Sequence, residues 1–211
     1  IITLCISFLF AGLVSAQVWK DDFEGGKLGK NWTPAVRGGM ADAADWKVED
    51  GILKGHWPDW SLQILYLEEY PSLDYTIQVK CRIDQVWQAP EFAGGGFIFR
   101  SSGPDEMWPS YYGFGICPSQ ATFFIDHGGV AGNWQIVGTT PKNHNISQWY
   151  TLKLVVKGDK FLGYVDDKPI CKLQDDKYKG KFVGLIVSAN TDASFDDFMI
   201  SDKVDETAFD E

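Results

Sequence analysis

The sequence predicts an all-β protein, a sandwich or barrel of short antiparallel strands, on three observations. Apolar and polar residues alternate with a period of two over several runs. Clusters of Gly, Pro and Asp punctuate nearly every gap between those runs, and no window of eleven or more residues sustains an apolar period of 3.6. Helix is therefore a minor component. Residues 46–53 are the first strand candidate. Residues 73–84 alternate cleanly, with Tyr75, Ile77, Val79, Cys81 and Ile83 on one face and Thr76, Gln78, Lys80, Arg82 and Asp84 on the other, as in a half-buried antiparallel strand. Further candidates are 95–100, 111–117, 121–126 and 134–137. Residues 149–157 alternate again, and Gly158-Asp159 joins them to 161–165 as a tight hairpin. Asp166 to Pro169 turns the chain into 170–173, and 182–187 and 193–201 complete the set.

With 211 residues, 45% hydrophobic and 23% charged, the composition is that of a soluble globular chain, and no linker or repeat divides it. Lys and Arg number 19 against 29 Asp and Glu, a formal charge of −10, which argues against a nucleic-acid partner. The aromatic fraction is 15%, with 9 Trp and 14 Phe, more rings than packing alone requires. Some of them are expected to face a ligand.

Residues 1–16 form an uncharged apolar run closing in Val14-Ser15-Ala16, the pattern of a secretory signal with Gln17 as first mature residue. The competing reading is an anchor, but the run is shorter than the roughly 20 residues that span a bilayer. The chain opens on Ile1 with no basic segment before the apolar run, so this reading takes in a fragment at the amino end. The expectation is a secreted protein, extracellular or periplasmic, with no membrane insertion. Residues 17–201 make one domain, and 202–211 are an acidic tail or the start of a linker.

Once Cys5 leaves with the signal, Cys81, Cys117 and Cys171 allow at most one disulfide with one thiol over. The stronger reading is three buried thiols acting as small hydrophobes, since all three sit in apolar strand-like segments. Neither these cysteines nor His56, His127 and His144 have zinc-site spacing. Asn31-Trp32-Thr33 and Asn145-Ile146-Ser147 are formal glycosylation sequons, meaningful in a eukaryotic source.

Trp32, Trp46 and Trp149 fall in or beside alternating strands and are read as core. Trp57, Trp60, Trp87, Trp108, Tyr111, Tyr112 and Trp134 fall among Pro, Gly and Asp. A sugar's face of C–H groups packs flat on such rings while neighbouring polar groups bond its hydroxyls. Asp59, Gln63, Arg100, Asn133 and Gln135 are placed to do that. The alternative is that the rings fold back as lids over the sheet edges.

The ordered run of Asp21-Asp22-Phe23-Glu24-Gly25, Asn31-Trp32, Trp46 to Leu53, Gly96-Phe97-Ile98-Phe99-Arg100, Tyr112-Gly113-Phe114-Gly115-Ile116, the Gly158 hairpin and Phe195-Asp196-Asp197-Phe198 resembles one superfamily. It is that of the concanavalin A-like lectin/glucanase jelly rolls, particularly secreted laminin-G-like and 3-keto-disaccharide hydrolase domains. The resemblance implies a two-sheet antiparallel jelly-roll β-sandwich. It also implies a structural Ca²⁺ tying the chain ends together, with Asp196 as side-chain ligand, the carbonyl of Gly51 as backbone ligand and Asp22 as a third. The alternative is that these carboxylates cap turns.

Retaining glycosidases on this fold carry Glu-x-Asp-x-x-Glu on one strand. No Glu of this chain begins that pattern, and no Gly-x-Ser-x-Gly elbow is present. Resemblance to the 3-keto-disaccharide hydrolases puts Arg100 in a catalytic position, with Glu91, Asp105, Glu106 and Asp84 as acidic candidates. The residues before that strand read Ala93-Gly94-Gly95-Gly96 where those domains carry Asn-Ser-Gly. The leading reading is a secreted, chiefly non-catalytic module binding oligo- or polysaccharide on a concave sheet, as a monomer or as part of a larger secreted protein. A glycoside hydrolase and an adhesion or scaffold module that binds protein are the alternatives.

Overall fold

A computed structural model of the chain describes residues 17–36, 45–58, 62–88, 94–188, 190–204 and 206–209. It holds fifteen strands: β1 (Val18–Asp21), β2 (Trp32–Val36), β3 (Asp45–Glu49), β4 (Ile52–Trp57), β5 (Leu62–Leu67), β6 (Tyr75–Val86), β7 (Gly94–Ser101), β8 (Ser110–Cys117), β9 (Gln120–His127), β10 (Trp134–Pro141), β11 (Trp149–Lys157), β12 (Lys160–Val165), β13 (Lys168–Gln174), β14 (Phe182–Ser188) and β15 (Thr191–Ser201). The eight-stranded sheet runs β13-β12-β11-β6-β15-β4-β3 with β1 also on β15, and the seven-stranded sheet runs β10-β9-β8-β7-β14-β5-β2. The two antiparallel sheets stack as a jelly-roll sandwich.

The inward residues of each alternating strand fill the space between the sheets. Phe97, Phe99, Tyr112, Phe114, Phe123, Phe161 and Phe195 are all fully buried there, with Trp32 and Trp46 beside them. Each such side chain contributes about 1.5–3 kcal/mol of hydrophobic stabilisation. Phe99 stacks on Tyr112 at 5.5 Å and meets Phe161 edge-on at 5.0 Å, linking β7 and β8 to β12 of the facing sheet.

The strands expected from alternation are present; the structure adds β1, β2 and β5, which were not among them, and divides one. The single strand expected over 46–53 is a hairpin, β3 and β4, because Asp50 and Gly51 both take positive φ (53° and 73°). That conformation makes a two-residue turn with the twist a hairpin needs. β5 was not expected at all: Leu62–Leu67 is buried on both faces, so it shows no alternation.

The sandwich is tied at both sides. Thr140 Oγ1 of β10 donates to the Ile170 carbonyl of β13 at 2.7 Å. On the opposite side Gln63 of β5 accepts from the Asp45 N–H at 3.0 Å and donates to the His56 carbonyl at 3.1 Å. Cys81, Cys117 and Cys171 are buried free thiols. A 3-10 helix, Glu206–Phe209, follows the last strand, and Phe209 shares the lining of a cavity of about 250 Å³ with Lys160, Phe161, Lys172, Leu173 and Gln174. Among the described residues, no helix is long and apolar enough to cross a membrane.

Candidate functional site

A two-sheet sandwich has two outer faces, and here they differ in chemistry. On the eight-stranded sheet the outward residues are charged and paired among themselves. Lys80 Nζ lies 2.5 Å from Asp197 Oδ2, Arg82 Nε lies 2.5 Å from Asp84 Oδ1, and His56 Nδ1 lies 2.5 Å from Asp192 Oδ1. Among the described residues, two outward rings of that sheet already carry cations: Arg82 sits 4.6 Å from the Trp149 ring centre, and Lys153 sits 4.4 Å from that of Tyr164. These ring faces are taken.

The outer face of the seven-stranded sheet is apolar. Ile64 and Tyr66 of β5, Ile98 of β7, Tyr111 of β8 and Ile186 of β14 form a second buried cluster, separate from the core between the sheets. Leu62, Ala35, Phe124 and Phe182 pack against it, half-buried. Tyr66 meets Phe182 edge-on at 6.1 Å, and Tyr111 meets Phe124 edge-on at 6.2 Å. Gly113 keeps the floor low: a Cβ there would fall 2.0 Å from the Phe124 ring. Toward the edge strand β10 the face opens, with Trp134 at 45% and Ile136 at 38% exposure.

Polar groups gather where β7, β9 and β5 end. Tyr66 shares a hydrogen bond with Ser101 Oγ at 3.2 Å, and Tyr111 donates to Asp126 Oδ2 at 3.2 Å. Asp126 Oδ1 accepts the Gly128 N–H at 2.9 Å. Glu106, in the β7–β8 loop, accepts from Ser102 Oγ at 2.8 Å. Burial raises the Tyr66 phenol above its ordinary range, and the nearby Glu106 and Asp126 carboxylates push the same way, against the lowering effect of Ser101.

The structure sorts the expected ligand residues. Trp134 stands exposed on this face and Tyr111 lies within its cluster; Trp108, half-buried, precedes β8 and accepts the Gly129 N–H on its carbonyl at 3.0 Å. Asn133 and Gln135 are exposed beside Trp134, with Asn133 Nδ2 donating to the Gly128 carbonyl at 2.8 Å. Asp59, Trp60 and Glu91 lie outside the described residues. Four expectations are corrected. Trp57 is not a loop ring: it ends β4 at 2% exposure, inside the core between the sheets. Tyr112 points inward, its hydroxyl bonded to Asp175. Gln63 is the buried clamp described above. Trp87 is 41% exposed, but it stands edge-on to His56 at 5.2 Å, at the end of the other sheet.

Arg100, the basic catalytic candidate, is buried at 2% exposure. Strand parity puts it on the outer face with Ile98. A φ of +52° turns it inward instead, and its Nη2 donates to the Leu73 and Gly158 carbonyls at 3.0 and 2.6 Å. It joins the sheets rather than meeting a ligand. Asp84 is held by Arg82 and Ser194 on the charged face. Asp105 and Glu106 are exposed at the end of the apolar face.

The residues expected for calcium have the following surroundings. Asp196 accepts the Asp197 N–H at 2.7 Å and has the Lys80 ammonium 3.9 Å away, while Asp22 accepts the Glu24 N–H at 3.2 Å. Over Gly51 stands the Glu24 carboxylate, 2.7 Å from where a Cβ would be. Among the described residues no three His, Cys, Asp or Glu side chains come together as a metal site.

Tyr66, Phe124, Phe182 and Asp126 were missed from the sequence. For Phe124, Phe182 and Asp126 the signal was parity: each alternates with core residues of its own strand and so had to face outward, yet each is large and apolar or buried and acidic, whereas Tyr66 lies in β5, which shows no alternation.

Comparison with known structures bears on the fold. The chain is similar to the carbohydrate-binding module CBM66 from Bacillus subtilis, at 18% identity and TM-score 0.62, covering 80% of this chain and 93% of that one. A protein of unknown function with a galectin-like fold, also from Bacillus subtilis, matches at 11% identity and TM-score 0.61, over 88% of this chain and 96% of that one. LamAcat from Zobellia galactanivorans matches at 13% identity and TM-score 0.57, over 86% and 96%. A search of the curated proteins finds no match. The 3-keto-alpha-glucoside-1,2-lyase-like family profile matches residues 18–201, from the first strand to the last, and the chain belongs to that family.

Proposed function

We propose that this protein, secreted through its apolar leader, binds oligo- or polysaccharide on the outer face of the seven-stranded sheet. The observation that carries the reading is the contrast between the two outer faces: rings on one are capped by Arg82 and Lys153, while the other exposes Trp134 and Ile136 on β10, beside half-buried Phe124 and Phe182 and a floor of buried Tyr66 and Tyr111. A sugar ring offers C–H groups to such a surface and hydroxyls to its polar rim. Kinship with a family named for a glucoside substrate, and a fold shared with a carbohydrate-binding module, support it. Trp134→Ala and Trp108→Ala should each weaken glycan binding by about tenfold or more, a change of about 1.4 kcal/mol, with thermal stability nearly unchanged. Isothermal titration against a glycan selected on an array measures this; full affinity in both variants would rule the assignment out.

A second reading, cleavage, is favoured by Glu106, an exposed carboxylate held by Ser102 beside Tyr66. Elimination from a 3-keto-α-glucoside needs a base to take the C2 hydrogen, which the C3 carbonyl acidifies. The C1–O bond then breaks, and the leaving oxygen takes up a proton. Glu106 would be that base. Incubation with such a glucoside, followed by NMR for the C1–C2 double bond, tests it: the product should form with the wild type and fail to form with Glu106→Gln. An unchanged glucoside, or a hydrated product formed equally by both, removes this reading.

A further inference from the structure

We propose that the same face sorts glycans by charge, turning away those that carry carboxylate or sulfate and accepting neutral or ammonium-bearing ones. This rests on the carbohydrate-binding reading and adds a rule of selection to it. Among the described residues, the outward positions of the seven strands hold no Lys or Arg; the one arginine that strand parity assigns there, Arg100, is turned inward by its positive φ. Among the described residues, the charged side chains placed at this face include Asp126 and Glu106. Asp126 lies within it at 1% exposure, and Glu106 stands exposed at its end.

Among the described residues most cations of the sandwich lie elsewhere, although Lys177 reaches His127 at the end of β9. Lys54, Lys80, Arg82 and Lys153 are outward on the other sheet. In the loop leading into β14, Lys177 Nζ sits 3.0 Å from His127 Nδ1, Lys181 pairs with Glu69 at 3.1 Å, and Lys179 is exposed off the strands. A uronate held where this face opens, at Trp134 and Ile136, would bring its charge toward two carboxylates. It would also meet none of the bidentate donors with which proteins usually hold such groups. An amino sugar would meet carboxylates of the opposite sign.

The test takes the neutral glycan bound most tightly on an array, the same glycan oxidised at C6 to the uronate, and its 2-amino derivative. In dilute salt the uronate should bind about tenfold more weakly than the neutral form, and the amino form at least as well as it. The gap should close near 1 M salt, where the screening length falls to about 3 Å. Glu106→Gln should bring the uronate-to-neutral ratio nearer to one, and Thr139→Lys, which adds a cation at an exposed position on β10, should raise uronate affinity. Equal or tighter uronate binding in the wild type overturns the charge rule while leaving the sugar reading intact. So does a gap that salt does not change. If no glycan binds at all, the carbohydrate reading itself falls.

Discussion

Tyr111 and Asp126 stand directly opposite each other on β8 and β9, and the phenol donates to the carboxylate across 3.2 Å. The other carboxylate oxygen takes the Gly128 N–H at 2.9 Å, so one acidic side chain fixes both the ring at the base of the apolar face and the turn that leads to Trp134. Tyr111→Phe removes a hydrogen bond to a buried carboxylate and should cost about 1–3 kcal/mol in urea unfolding. A loss within error of zero would show that the pair does not anchor this face.

Arg100 should behave as a tie between sheets. Arg100→Met strips the Leu73 and Gly158 carbonyls of a charged donor, and should lower stability by about 2–3 kcal/mol while the folded protein keeps its glycan affinity. Retained stability with lost activity would return Arg100 to the site.

Trp57→Ala opens a void in the core and should cost about 3–5 kcal/mol. Equilibrium denaturation reads this directly; a mild loss with weakened sugar binding would mean the ring reaches the ligand after all.

His144 should make the fold sensitive to mild acid. Its Nδ1 donates to the Cys117 carbonyl at 2.9 Å, its ring meets Tyr150 edge-on at 5.0 Å, and its Nε2 is buried with no hydrogen-bond partner. Burial holds its pKa below the ordinary 6.5, with the Cys117 bond opposing. The unfolded chain therefore takes up a proton near pH 6.5 that the folded chain resists, so this contribution to stability is full above that pH and declines as pH falls through it. Urea midpoints of the wild type and His144→Gln should converge between pH 8 and pH 5. Parallel pH profiles would exclude His144 as the cause.

What could be read in advance followed the period of two. β6 and β11 announce themselves because one side of each is solvated, and Gly158-Asp159 marks their neighbour's turn. β5 is invisible to that rule, since Leu62–Leu67 is buried on both sides. Trp57 was misplaced because Gly55 and Pro58 look like loop punctuation. Gly55 is instead a strand position where the Trp46 ring lies so close that a Cβ would come within 2.7 Å. Arg100 was misplaced because alternation assumes extended backbone, and one residue of positive φ reverses the side on which a side chain emerges. Trp134 was legible because it follows Gly132-Asn133, a loop-like stretch that opens an edge strand.

Cys81, Cys117 and Cys171 are all reduced and buried, on β6, β8 and β13. Among the described residues the sandwich is therefore held by packing, strand pairing and side-chain hydrogen bonds with no disulfide, and no oxidase or disulfide isomerase has to act before it reaches its final shape. Dithiothreitol should leave its melting temperature where it was, and the domain should mature as readily in a reducing cytosol as in any compartment beyond it.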